Sequence, residues 1–137
     1  MTLKSGVCSL LVVLAVCNFE AAAQRVGDDE AELITPPIPS YPLKAAMAGL
    51  SGMCEVHMDV TPAGKPVNIR AKCTHEVFCD ESMRAMAAVV FAPKIVNGEA
   101  LWRNGVAYPL EYLIEGSSRD FDPANAQWCA SNPDAVS

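Results

Sequence analysis

CEVHMDVTPAGKPVNIRAKC, residues 54–73, constrains this chain more than any other stretch. Val56, Met58 and Val60 alternate with Glu55, His57 and Asp59, and Val67, Ile69 and Ala71 alternate with Asn68, Arg70 and Lys72. A period of two, with one apolar and one polar face, is the pattern of a half-buried strand. Pro62-Ala63-Gly64 supplies the turn, so the segment reads as a β-hairpin. Two registers compete. A three-residue loop with Gly64 left-handed places Arg70 opposite Val56, on the core face. A loop centred between Ala63 and Gly64 keeps apolar residues opposite apolar ones. A one-residue slip turns every side chain to the other face, so the apolar pattern selects the second. Cys54 then lies opposite Cys73, at a Cα separation of roughly 4.5–5.5 Å that a disulfide can bridge. The hairpin is expected to be stitched at its open end. The same register sets Lys72 opposite Glu55, Arg70 opposite His57 and Asn68 opposite Asp59.

The remaining cysteines depend on the N-terminus. MTLKSG carries Lys4, VCSLLVVLAVC is an apolar run, and Ala21-Ala22-Ala23 precede Gln24. A basic start, an apolar stretch and a small-residue cleavage site make a secretory signal peptide, and the run is shorter than the about 20 residues a bilayer span needs. Residues 1–23 are read as a cleaved signal peptide, against an uncleaved anchor or a lipoprotein attached through Cys17. Cys8 and Cys17 leave with it. Cys54, Cys73, Cys79 and Cys129 remain, and four cysteines in an exported chain are most simply two disulfides. With Cys54 held by Cys73, Cys79 is left for Cys129.

Removing 23 of 137 residues leaves 114, one domain's worth, and takes Lys4 and Glu20 together, so the net charge stays at −6. That balance argues against nucleic acid and anionic lipid as partners. Residues 24–41 form an acidic, proline-containing lead-in, expected to be extended. Pro42 opens a short helix, LKAAMAG, ended by Gly49 and Gly52. After the hairpin, Asp80 and Glu81 favour a helix start, and Met83, Met86, Ala87 and Val90 give it an apolar face, with Phe91 alongside and Pro93 at its end. Asn97-Gly98 and Asn104-Gly105 are two turn signals. VAYPLEYLIE, residues 106–115, is the last strand, with Tyr108, Leu110, Tyr112 and Ile114 on one face. Pro109 cannot donate to a ladder, so this strand belongs at a sheet edge with the Pro109 nitrogen turned outward. Residues 117–137 form a polar C-terminal extension tied down by the second disulfide.

Catalytic readings find little support. Glu55, His57 and Asp59 share a face, but cations stand opposite two of them, so no metal or other cofactor is expected. Cys73 and Cys79 have neither a thiol-oxidoreductase nor a zinc spacing. His75 and Ser82 lack a nucleophile elbow or an oxyanion loop. The chain does not read as an enzyme. Its exposed strand edge suits peptide recognition by strand addition.

The order and residues resemble the C-terminal domain of TonB-family proteins. The matching residues are Tyr41-Pro42, Gly52, Met58-Asp59-Val60-Thr61-Pro62-Ala63-Gly64, Val67-Asn68-Ile69, Ala85-Met86, Phe91-Ala92-Pro93, Asn97-Gly98 and Gly105-Val106 with Tyr108-Pro109-Leu110. The likeness covers about residues 36–116. It implies an α+β fold over residues 42–116, in the order α-β-β-α-β, with a small three-stranded antiparallel sheet and two helices on one face. It also implies a periplasmic binding module. The partner would be a TonB-box-like peptide of an outer-membrane receptor, or another envelope protein, taken up along Val106, Ala107, Tyr108, Pro109, Leu110, Glu111 and Tyr112 in TonB-dependent transport. A homodimer that pairs this strand with its own copy, scaffolding the envelope, is the alternative. Two departures stand out. The lead-in is short, spanning about 40 Å even as polyproline from Glu30 to Tyr41, and Ala87-Ala88-Val89-Val90 replaces the family's late-helix Trp and basic residues.

Overall fold

The computed structural model describes residues 31–117 and 119–130. The expected signal peptide, the start of the lead-in and the last seven residues lie outside them. Along the chain run β1 (Leu33–Thr35), α1 (Leu43–Met47), β2 (Gly52–Val60), β3 (Pro66–Cys73), α2 (Cys79–Ala87), β4 (Val90–Phe91), β5 (Lys94–Val96), β6 (Glu99–Leu101), β7 (Arg103–Tyr112) and β8 (Gln127–Trp128). The main sheet is antiparallel, in the order β7-β2-β3-β8, while β1 pairs with β4 and β5 with β6. The chain is thus α+β, but its main sheet has four strands, not three. The extra strand comes from the tail, where Trp128 and Gln127 pair with Lys72 and Cys73. Among the described residues, no helix is long and apolar enough to cross a membrane.

Alternation in β2 decides which face becomes core. Gly52, Cys54, Val56, Met58 and Val60 are buried, and the residues between them are half-buried. Ala45 of α1, Met86 of α2, Phe78 and Phe91 close over that inner face. Burying one side chain of this size contributes roughly 1.5–3 kcal/mol, so the alternating apolar set is what fixes the layering. Gly52 is needed because a Cβ there would lie 2.6 Å from a Phe78 ring carbon.

The hairpin realises both competing registers. At its open end Cys54 faces Cys73, Glu55 faces Lys72, Val56 faces Ala71 and His57 faces Arg70. Nearer the turn, Asp59 faces Val67 and Val60 faces Pro66. Asn68 is therefore not opposite Asp59. It is the extra residue of a β-bulge, at φ 53°, and Gly64 at φ 81° closes the tight loop. A bulge absorbs one residue and lets the turn and the apolar pattern each keep the pairing they favour.

Four further expectations are corrected. Pro42 caps α1 in an extended conformation and is not its first helical residue. The apolar face of α2 is Cys79, Ser82, Ala85 and Met86, not the stripe through Ala87 and Val90, and the helix stops well before Pro93. Ala87, Ala88 and Val90 are exposed, while Val89 is buried. The two stripes are adjacent on a helical wheel. The observed one wins because Cys79 must meet Cys129 and Ser82, a polar residue, finds a buried partner in Tyr112. Asn97-Gly98 does make a hairpin turn, with both residues at positive φ, but Asn104-Gly105 lies inside β7, which begins at Arg103 and ends at Tyr112. Finally, the lead-in is extended but packed, with Ala31, Leu33 and Tyr41 against the core and the Tyr41 hydroxyl donating to the Leu50 carbonyl at 2.5 Å.

Candidate peptide-binding edge

Strand β7 sits at one end of the four-strand order. Its ladder with β2 runs from Gly52–Tyr112 to Met58–Val106 and then shifts, so that Val60 meets Arg103. The shift inserts an extra residue in β7 around Gly105, at φ 70°. Asp59 stands at the level of both irregularities. One carboxylate oxygen accepts from Asn68 Nδ2 at 2.9 Å and the other from the Gly105 backbone N–H at 2.9 Å. Those two bonds, with Asn68 the larger cause, hold its pKa below the ordinary carboxylate range. One side chain therefore joins the bulges of both neighbouring strands to β2.

Pairing continues unbroken past Pro109, with Tyr108 opposite Val56 and Leu110 opposite Cys54. Since proline has no N–H to donate, its nitrogen belongs to the outer edge. The far edge of β7 pairs with no strand among the described residues. That edge lacks one backbone donor, at Pro109.

Side chains along this strand divide sharply. Ala107, Pro109 and Glu111 are exposed, Val106 and Tyr108 are partly buried, and Leu110 and Tyr112 belong to the core. Tyr112 stacks on Phe78 at 4.5 Å between ring centroids, meets Tyr41 edge-on, and shares a 2.8 Å hydrogen bond with the Ser82 hydroxyl. Burial pushes its pKa up. The Tyr112 side chain is thus part of the core, while its backbone lies on the outer strand of the sheet. Glu111 is held by Arg119 at 2.8 Å, and beyond β7 the Ser117 hydroxyl pairs with that of Ser51 at 3.1 Å.

The other candidates disperse. Glu55 and His57 lie 2.6 Å apart, but Asp59 is turned to Asn68 and Gly105. Ser82 is fully buried against Tyr112, away from any partnership with His75, whose Nδ1 lies 3.2 Å from Thr74 Oγ1. On the outer sheet face, Trp128 packs under the Arg70 guanidinium at 4.3 Å and beside the His57 ring at 5.0 Å. Both disulfides are present, Cys54–Cys73 with Cα atoms 4.1 Å apart and Cys79–Cys129 with Cα atoms 5.9 Å apart. The Asp59 clasp and the Trp128 platform were not anticipated. The Asn104-Gly105 turn signal, where β7 bulges, was the trace of the clasp in the sequence.

Residues 37–112 match the family model described as the Gram-negative bacterial TonB protein C-terminal. The match ends on the last residue of β7, so β8 and Cys129 lie beyond it. No curated protein matches the chain.

Proposed function

The chain belongs to the TonB C-terminal family, and on that premise we propose that it takes up an extended peptide of an outer-membrane receptor, or of another envelope protein, as an added strand along β7. At the family level, these domains work in the periplasm of Gram-negative bacteria in envelope transport. The observation that carries the reading is the open edge of β7, paired with β2 on one side only among the described residues. Backbone hydrogen bonds to such an edge supply affinity, and alternate side chains supply selectivity. Here the selecting side chains are Ala107, Pro109 and Glu111, with part of Tyr108. The missing donor at Pro109 divides the contact into a segment before it and a shorter one after it.

The protein acts in this reading as a periplasmic binding module without catalysis, exported through residues 1–23. Two disulfides suit an oxidising compartment. The test is an NMR titration of the oxidised protein with TonB-box-like peptides. Amide shifts concentrated along Val106–Tyr112 support strand addition, whereas no shifts at millimolar peptide remove it. A dimer by size exclusion, with β7 amides protected before any peptide is added, favours the homodimer instead.

A further inference from the structure

The two disulfides touch each other. Cys129 Sγ lies 3.6 Å from Cys73 Sγ although each is bonded elsewhere. The sulfurs of Cys73, Cys79 and Cys129 all lie within 4.8 Å of one another. They border a cavity of about 390 Å³, lined also by Thr74, Glu76 and Trp128. Exposure is graded across the cluster. Cys54 is fully enclosed, Cys73 and Cys79 are nearly so, and Cys129 is partly exposed. A thiol arriving from the cavity therefore meets Cys129 first.

We propose that this cluster is a thiol–disulfide relay that accepts two electrons from a dithiol and retains one rearranged bond, Cys73–Cys129. The dithiol's thiolate attacks Cys129 Sγ, forming a mixed disulfide and expelling Cys79 as a thiolate. That charge appears at the N-terminal end of α2, where the helix dipole favours it. The reductant's second thiolate then attacks its own bound sulfur, closing the reductant's disulfide and releasing Cys129 as a thiolate. Cys129 attacks Cys73 Sγ, the Cys54–Cys73 bond breaks, and Cys54 leaves. The two protons of the dithiol end on Cys54 and Cys79. The reductant is oxidised by two electrons and the protein is reduced by two.

Three features favour the last step. The sulfurs are already in contact, and the pairing of Gln127 with Cys73 holds the two segments together, so no strand has to move. The new bond spans 56 residues where the old one spans 19, and a longer loop removes more freedom from the unfolded chain. The thiol left at Cys54 is enclosed, as cysteine readily is, with the Phe78 carbonyl oxygen 3.7 Å from its sulfur. The relay is independent of any peptide on β7.

The test is to treat the full chain, purified without reductant, with one equivalent of dithiothreitol. It is then quenched in acid, labelled with N-ethylmaleimide and digested with trypsin and Glu-C. Cleavage after Glu76 separates Cys73 from Cys79, so mass spectrometry can assign every sulfur. The two-electron-reduced species is expected to carry label on Cys54 and Cys79 and a crosslink joining Cys73 to Cys129. A reduced species that keeps either original bond and labels the other pair overturns the relay. So does a folded protein that resists one equivalent altogether.

Discussion

The Tyr112 hydroxyl lies 2.8 Å from Ser82 Oγ, so the strand with the open edge is bolted to α2 through its last residue. Both groups are buried, and neither would be tolerated there alone. The bond couples the position of the edge to the helical layer.

Replacing Tyr112 with Phe leaves the Ser82 hydroxyl buried and unpaired. An unsatisfied buried polar group costs about 1–3 kcal/mol, and urea unfolding of Y112F should show a loss in that range. Peptide affinity along β7 should stay at the wild-type value, since the ring faces inward. A stable Y112F would show that Ser82 finds another partner.

Asp59 makes the bulges pH-sensitive. Its pKa is depressed in the fold by Asn68 and by the Gly105 amide. The contribution of the clasp is therefore fully present above the unfolded carboxylate value and is lost as pH falls through the lower folded value. The Gly105 amide proton should shift with a midpoint below the ordinary aspartate range, and in D59N that titration should disappear.

Gly64 and Gly98 share a φ of 81° but not their surroundings. A Cβ on Gly64 collides with the Phe91 carbonyl, while one on Gly98 meets nothing within 4 Å. Left-handed strain alone costs about 1–3 kcal/mol, so G98A should lose about that much. G64A should lose more, because backbone must also move. Equal losses for the two variants in denaturant melts would show that β4 yields without cost.

Removing the hairpin staple with C54A/C73A, which leaves no unpaired hydroxyl at these two buried positions, should lower stability by about 3 kcal/mol, the chain-entropy value for a loop of this length. The alternating core of β2 should still fold. Matching the variant's amide spectrum to the wild type separates lost constraint from lost structure.

How much of this was legible follows from where the information lies. The alternation in residues 54–73 and the placement of Pro109 were sufficient to put a stitched hairpin and an edge strand in the chain. They could not reveal that Asn68 would leave the ladder, because the turn preferred one register and the core another. The apolar stripe of α2 was misplaced by one residue because the deciding partners, Tyr112 and Cys129, come from distant segments. Strand β8 went unseen because two residues carry no periodicity.

By itself the sequence determined the hairpin and the edge placement of the last strand, since periodicity, proline and turn chemistry act between neighbours along the chain, while the α+β class came from the family resemblance. Tertiary structure alone decided that Asp59 would clasp Gly105, 46 residues away, that Tyr112 would turn its side chain into the core, and that Cys129 would rest against Cys73. Such meetings depend on strand order and layer packing, which bring together groups that no local pattern relates.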